Sequence, residues 1–118
     1  MEPLNGAKLR EILEECGFSF SKSLGQNFLS DERILTRIAD DASLETGDTV
    51  LEIGPGAGTL TRVMARKAKK VVSVEIDRSL QPVLARTLSG FTNTEVIFGD
   101  FLRMDLPQLF AEHLEDGF

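Results

Sequence analysis

The sequence predicts an α/β fold, a parallel sheet with helices on both faces. Three observations predict it. β-branched runs at 49–53, 70–75 and 94–98 alternate with stretches of helical periodicity. A glycine cluster follows the first run directly. Gly or Asp punctuates most junctions between periods, so each strand and helix reads as a short separate element. Strand–helix–strand order of this kind closes with right-handed crossovers, which lay helices on the sheet.

The elements follow in order. Leu4 to Cys16 reads as an amphipathic helix with Leu9, Ile12, Leu13 and Cys16 on one face, Asn5 as its cap and Gly17 as its stop. Phe18 to Phe28 has no clear period. Asp31 is placed to cap a second helix, whose apolar face is Ile34, Leu35, Ile38 and Ala42. Thr49 to Ile53 is the first strand. A helix from about Thr59 to Ala68 carries Leu60, Val63 and Met64 inward, with Arg62, Arg66 and Lys67 outward. Lys70 to Glu75 is the second strand, and Arg78 to Ser89 a helix ended by Gly90 with Leu80, Val83, Leu84 and Leu88 as its apolar face. Thr94 to Phe98 is the third strand, and Leu106 to Leu114 a final helix.

Composition sets bounds. The 118 residues suit one domain and one core, divided into N-terminal helices over 1–47 and an alternating unit over 48–118. No apolar run approaches the roughly 20 residues that span a bilayer, and Glu11, Glu14 and Glu15 interrupt any leader-like stretch. The expectation is a cytoplasmic protein without membrane partners. Cys16 and His113 are the single cysteine and histidine, which disfavours a metal site or a Cys/His nucleophile. The net charge of −6 disfavours strong nucleic-acid binding by this segment alone, since phosphate contacts need clustered Lys and Arg. Lys67, Lys69 and Lys70 complement a helix C-terminus more readily than they form an RNA contact. Lys8, Arg10 and Lys22 are better placed to steer RNA.

Gly54-Pro55-Gly56-Ala57-Gly58 sits after a strand and before a helix, where a nucleotide-cofactor loop belongs. Glycine lets the chain turn sharply and a ligand approach the backbone, and the helix start offers unpaired N–H groups. Glu75 ends the next strand, 21 positions after Gly54, where a carboxylate can accept from ribose hydroxyls. Asp100 follows the third strand and can accept from an adenine amine, with Phe101 or Ile76 against the ring. All three lie at the carboxyl edge, where such sheets bind ligands. The spacing G-x-G-x-G, with Thr59 where a dinucleotide loop has its third glycine, favours an S-adenosylmethionine loop; an NAD(P) site is the alternative.

Two segments narrow the reading: Lys22-Ser23-Leu24-Gly25-Gln26-Asn27-Phe28-Leu29 and Glu52-Ile53-Gly54-Pro55-Gly56-Ala57-Gly58-Thr59-Leu60-Thr61. Together they resemble the small-subunit (16S) rRNA adenine N6-dimethyltransferases, the KsgA family, over about Phe18 to Phe101. Erm-type large-subunit rRNA methyltransferases share Gln-Asn-Phe-Leu, whereas Gly-Pro-Gly is more like the KsgA form. The resemblance implies a Rossmann-like methyltransferase fold, S-adenosyl-L-methionine as cofactor, and small-subunit rRNA in an immature ribosomal subunit as partner. It implies that Asn27, Leu29 and Gly54 surround the methionine end, that Glu75 holds the ribose and that Asp100 holds the adenine amine. It also implies a fold cut after about three strands. The family's Asn-Leu-Pro-Tyr motif, which receives the target adenine, and its C-terminal helical domain would lie beyond Phe118. On that expectation no catalytic residue is assigned here, and the segment alone transfers no methyl group. The uncovered first strand is further expected to promote association, unless the last helix covers it.

Overall fold

In the computed structural model, the chain is described over residues 4–18 and 32–114. Helix α1 spans Gly6–Glu15 and α2 spans Glu32–Asp41. Strand β1 (Thr49–Ile53) leads to α3 (Thr59–Lys67), then β2 (Lys70–Glu75). A 3₁₀ turn at Arg78–Leu80 opens into α4 (Gln81–Thr87), followed by β3 (Thr94–Phe98). A second 3₁₀ turn at Phe101–Arg103 precedes α5 (Leu106–His113).

The sheet is parallel throughout, in the order β1-β2-β3. Val50 pairs with Val71 and Glu52 with Ser73; Ser73 in turn pairs with Val96, and Glu75 with Phe98. Because side chains alternate along a strand, Val50, Glu52, Val71, Ser73, Glu75, Val96 and Phe98 share one face. On it, Val71 packs with Leu35, Ala39, Val63 and Met64 from α2 and α3. Lys70 and Glu95 lie on the other face and hold α5: Lys70 donates to the His113 carbonyl at 3.1 Å, and Glu95 takes the His113 Nδ1 at 2.6 Å. Helices therefore cover both faces, as expected. α5 is tied to β2 and β3, and β1 is an edge strand.

β2 is the centre of the core. Val71, Val72 and Val74 have at most 2% of their surface exposed, and each such burial contributes about 1.5–3 kcal/mol. α1 joins through Leu9 and Ile12, which with the preceding Leu4 meet Val83 of α4; Glu15 and Arg86 pair at the surface above them. The expected cap and stop of α1 are in place: Asn5 Oδ1 accepts from the Lys8 amide at 2.8 Å, and Gly17 has φ +89°. Asp31 lies outside the described residues.

Two helix faces differ from expectation. α2 buries Glu32, Leu35 and Ala39, while Ile38 is 43% exposed. α3 buries Arg62, read from the sequence as outward, to 5% exposure. One cause explains both. Glu32 Oε1 accepts from Arg62 Nε at 3.1 Å and Glu32 Oε2 from Arg66 Nη1 at 3.1 Å, so the helices are rotated to bring opposite charges inside together. A paired, hydrogen-bonded charge tolerates burial that an isolated one does not. Cys16, read on the apolar face of α1, is partly buried against the cluster of Leu9, Ile12 and Val83. Lys67 pairs with Asp40 of α2, and Lys70 with Glu95, rather than merely facing a helix end.

Candidate functional site

The carboxyl ends of β1, β2 and β3 bring the expected residues to one edge. β1 runs into the glycine loop. Gly54 and Gly56 have φ of +75° and +58°, a region closed to most side chains. A Cβ at either position would meet nothing within 4 Å among the described residues, which leaves room beside the loop that a ligand can enter. Gly58 has φ +87° and stands at the N-terminus of α3, with no side chain capping the first turn. Unpaired amides there, with the positive end of the helix, favour polar or anionic groups.

Glu75 ends β2 with 5% exposure. Its two oxygens are engaged within the chain: Oε1 accepts from the Gly56 amide at 3.0 Å and Oε2 from the Asp77 amide at 2.9 Å. Each carboxylate oxygen retains a second lone pair for a hydroxyl. Asp100 stands two residues past β3 and caps the 3₁₀ turn, its Oδ1 accepting from the Leu102 amide at 3.0 Å. Its Oδ2 lies 3.6 Å from Arg103 Nε. Gly54 and Asp100 share a trough of about 340 Å³, walled by Ile53, Val74, Ile76 and Phe101. Glu75 is not in that wall; it sits behind the glycine loop. The trough is mostly apolar with few polar groups, as small-molecule sites generally are. Asn27 and Leu29 lie outside the described residues.

A carboxylate the sequence reading left without a role underlies the loop. Glu52 Oε1 accepts from Thr61 Oγ1 at 2.5 Å and from Ser73 Oγ at 2.8 Å. The hydroxyls tie β1 to α3 and β2 directly beneath the glycines. Burial raises the Glu52 pKa above its ordinary value, and the Glu75 charge adds to this; the two hydroxyl bonds act against it. The signal was present in the sequence, since an acid in a strand alternating with apolar residues must find donors inside. Among the described residues, no group of three His, Cys, Asp or Glu is placed to hold a metal, and no helix is long and apolar enough to cross a membrane.

Comparison with known proteins shows the family. The chain is 53% identical over 109 residues to ribosomal RNA small subunit methyltransferase A of Alkaliphilus metalliredigens, covering 92% of this chain and 38% of that protein. It is 54% identical to the protein of the same name from Anoxybacillus flavithermus, covering 92% and 37%. The chain thus spans under two-fifths of the relatives it matches. The crystal structure of the 23S rRNA methyltransferase ErmE superposes with a TM-score of 0.59 and 47% identity, over 67% of this chain and 32% of that one. The model of the ribosomal RNA adenine dimethylase family matches residues 17–117, and the chain belongs to that family.

Proposed function

We propose that this chain forms the S-adenosylmethionine-binding part of an rRNA adenine N6-dimethyltransferase. Its substrate is two adjacent adenosines in the 3′-terminal hairpin of small-subunit rRNA, in immature subunits in the cytoplasm. One observation carries the reading: three neighbouring strand ends present a glycine loop, a buried carboxylate and a second carboxylate on one edge. The small-subunit names of relatives at 53% and 54% identity support the choice of RNA.

The residues fit the cofactor. Among the described residues nothing crowds Gly54 or Gly56, and the trough is of the size and apolar character that an adenine ring fills. Glu75 would accept from ribose hydroxyls through the lone pairs that its bonds to the Gly56 and Asp77 amides leave free. Asp100 has Oδ2 to offer the adenine amine, and Ile76 and Phe101 flank the ring position. By resemblance, Asn27 and Leu29 complete the methionine end. When bound, the cofactor supplies an electrophilic methyl group, so the protein chiefly contributes alignment, a factor worth on the order of 7–11 kcal/mol in favourable cases. The apolar walls exclude water, and the loop amides and carboxylates fix the orientation.

ErmE, at 47% identity, favours a second reading in which the RNA is that of the large subunit. Two measurements test these statements. S-adenosylhomocysteine is expected to raise the melting temperature of the chain and NAD is not; the reverse result overturns the cofactor. Tighter binding of the small-subunit 3′ hairpin than of large-subunit RNA is expected in a competition gel shift, and the opposite order replaces the first RNA with the second.

A further inference from the structure

Behind the glycine loop, three residues close a ring of contacts that the proposed chemistry does not itself require. The Arg62 amide donates to the Gly58 carbonyl at 3.0 Å, as the first turn of α3 demands. The Arg62 side chain reaches away and donates from Nη1 to the Thr87 carbonyl at 2.5 Å, at the end of α4. Thr87 in turn packs so closely on the loop that a Cβ at Gly58 would lie 2.9 Å from its Oγ1. Gly58, Arg62 and Thr87 therefore each hold the other two.

The rest of the surroundings stiffen that ring. The Arg62 guanidinium is fixed on one side by Glu32 and lies 5.3 Å from the centroid of the Phe91 ring. Arg62, Glu32 and Thr87 are exposed by 5%, 9% and 1%, so no water competes strongly for these bonds. The α4 carbonyl at Thr87 is one that helix ending leaves without an amide partner, and a charged donor satisfies it with a stronger bond than a neutral one.

We propose that Arg62 is a positioning residue for the glycine loop: by holding the Thr87 carbonyl it seats α4 against Gly58 and so fixes the loop amides from behind. This rests on the reading of that loop as the cofactor site. Arg66 supplies the contrast. It shares Glu32 and Phe91 with Arg62 but has no bond to Thr87 among those described, and its side chain is 31% exposed.

The test compares Arg62→Met, Arg62→Lys and Arg66→Met in the 118-residue chain. Without ligand, amide exchange at Gly56 and Gly58 is expected to quicken about tenfold in Arg62→Met relative to the Val72 amide, the ratio that 1.4 kcal/mol represents. Arg66→Met should slow or quicken all three amides together. Arg62→Lys, which keeps a charged donor, should recover part of the protection. S-adenosylhomocysteine affinity, by calorimetry, should fall by a similar factor in Arg62→Met and by less than about twofold in Arg66→Met. Equal losses in the two methionine variants, following global stability, overturn the proposal; so does unchanged glycine exchange in Arg62→Met. If Arg62→Met does not fold, Arg62→Lys decides: glycine exchange and affinity matching the original chain, with Val72 exchange also unchanged, overturn it, and selective quickening at Gly56 and Gly58 upholds it. Failure of the original chain to bind S-adenosylhomocysteine, with the glycine exchange pattern as expected, removes the cofactor reading and leaves the positioning role.

Discussion

The Glu75 carboxylate accepts a hydrogen bond from the Gly56 amide at 3.0 Å, joining the end of β2 to the middle of the glycine loop 19 residues earlier. A residue picked out as a ligand for sugar is thus also a support for the loop that ligand would touch. Removing it separates two consequences. Glu75→Ala is expected to lower stability by about 1–3 kcal/mol, because the Gly56 and Asp77 amides lose their acceptor. Chemical denaturation measures that loss, and S-adenosylhomocysteine should no longer shift the melting temperature. Glu75→Gln, which retains one acceptor oxygen, should recover some stability without recovering the ligand shift.

Gly56 and Gly58 should differ in their tolerance of alanine. At Gly56 the cost is the backbone alone, about 1–2 kcal/mol for a left-handed residue with a Cβ. At Gly58 the same cost is joined by overlap with Thr87 Oγ1 and Leu84 Cδ2, at 2.9 and 3.0 Å, and such overpacking typically adds about 1–3 kcal/mol. Gly58→Ala is therefore expected to be the more destabilising in urea titration. A smaller effect at Gly58 than at Gly56 contradicts the close approach of α4.

Thr87 Oγ1 is buried with no hydrogen-bond partner among the described residues. Thr87→Val keeps the shape and removes the unpaired hydroxyl. The variant should be neutral or more stable by up to about 1 kcal/mol, since a lost polar group of this kind carries no bond with it. A clear loss of stability would show that the hydroxyl is in fact bonded.

Glu52 gives a pH signature. Its pKa in the folded chain is raised, first by burial, so the folded state holds its proton more tightly than the unfolded state does. Its contribution to stability is present in full below the ordinary value of 4.5 and is lost as pH rises through the raised value. Glu52→Gln keeps an oxygen for Thr61 and Ser73 and removes the titration. Melting temperature plotted against pH should be flatter for the variant just above 4.5, with the variant gaining most towards neutral pH. Parallel curves for the two proteins would remove Glu52 as the source.

Much of this was legible in the chain itself. β1, β2 and β3 lie where stretches rich in Val, Ile and Thr stand between turn residues, because such side chains suit strands of a sheet covered on both faces. The place of Gly54, Glu75 and Asp100 at the carboxyl edge was legible for a related reason: loops there follow strand ends, and those were marked. What escaped was pairing between distant segments. No local pattern says that Glu32 meets Arg62, so a helical wheel placed one arginine in solvent and turned α2 by the wrong amount. The 3₁₀ turns were missed for a milder reason. Asp77 and Asp100 each cap their own next turn, and Pro82, with no amide to give, lets the α-helix proper begin at Gln81.

The register of the sheet also bears on how the site comes into being. Val50 meets Val71 across 21 positions, and Val71 meets Thr94 across 23. Each pairing closes over a single helix, so neither demands that remote parts of the polypeptide find one another first, and closure entropy stays modest. Successive crossovers would then install the loop's carboxylate support before Asp100 arrives with β3. Under the proposed roles, the part of the site assigned to the sugar would form before the part assigned to the base, both in the maturing chain and in any partially unfolded form that still keeps its first two strands.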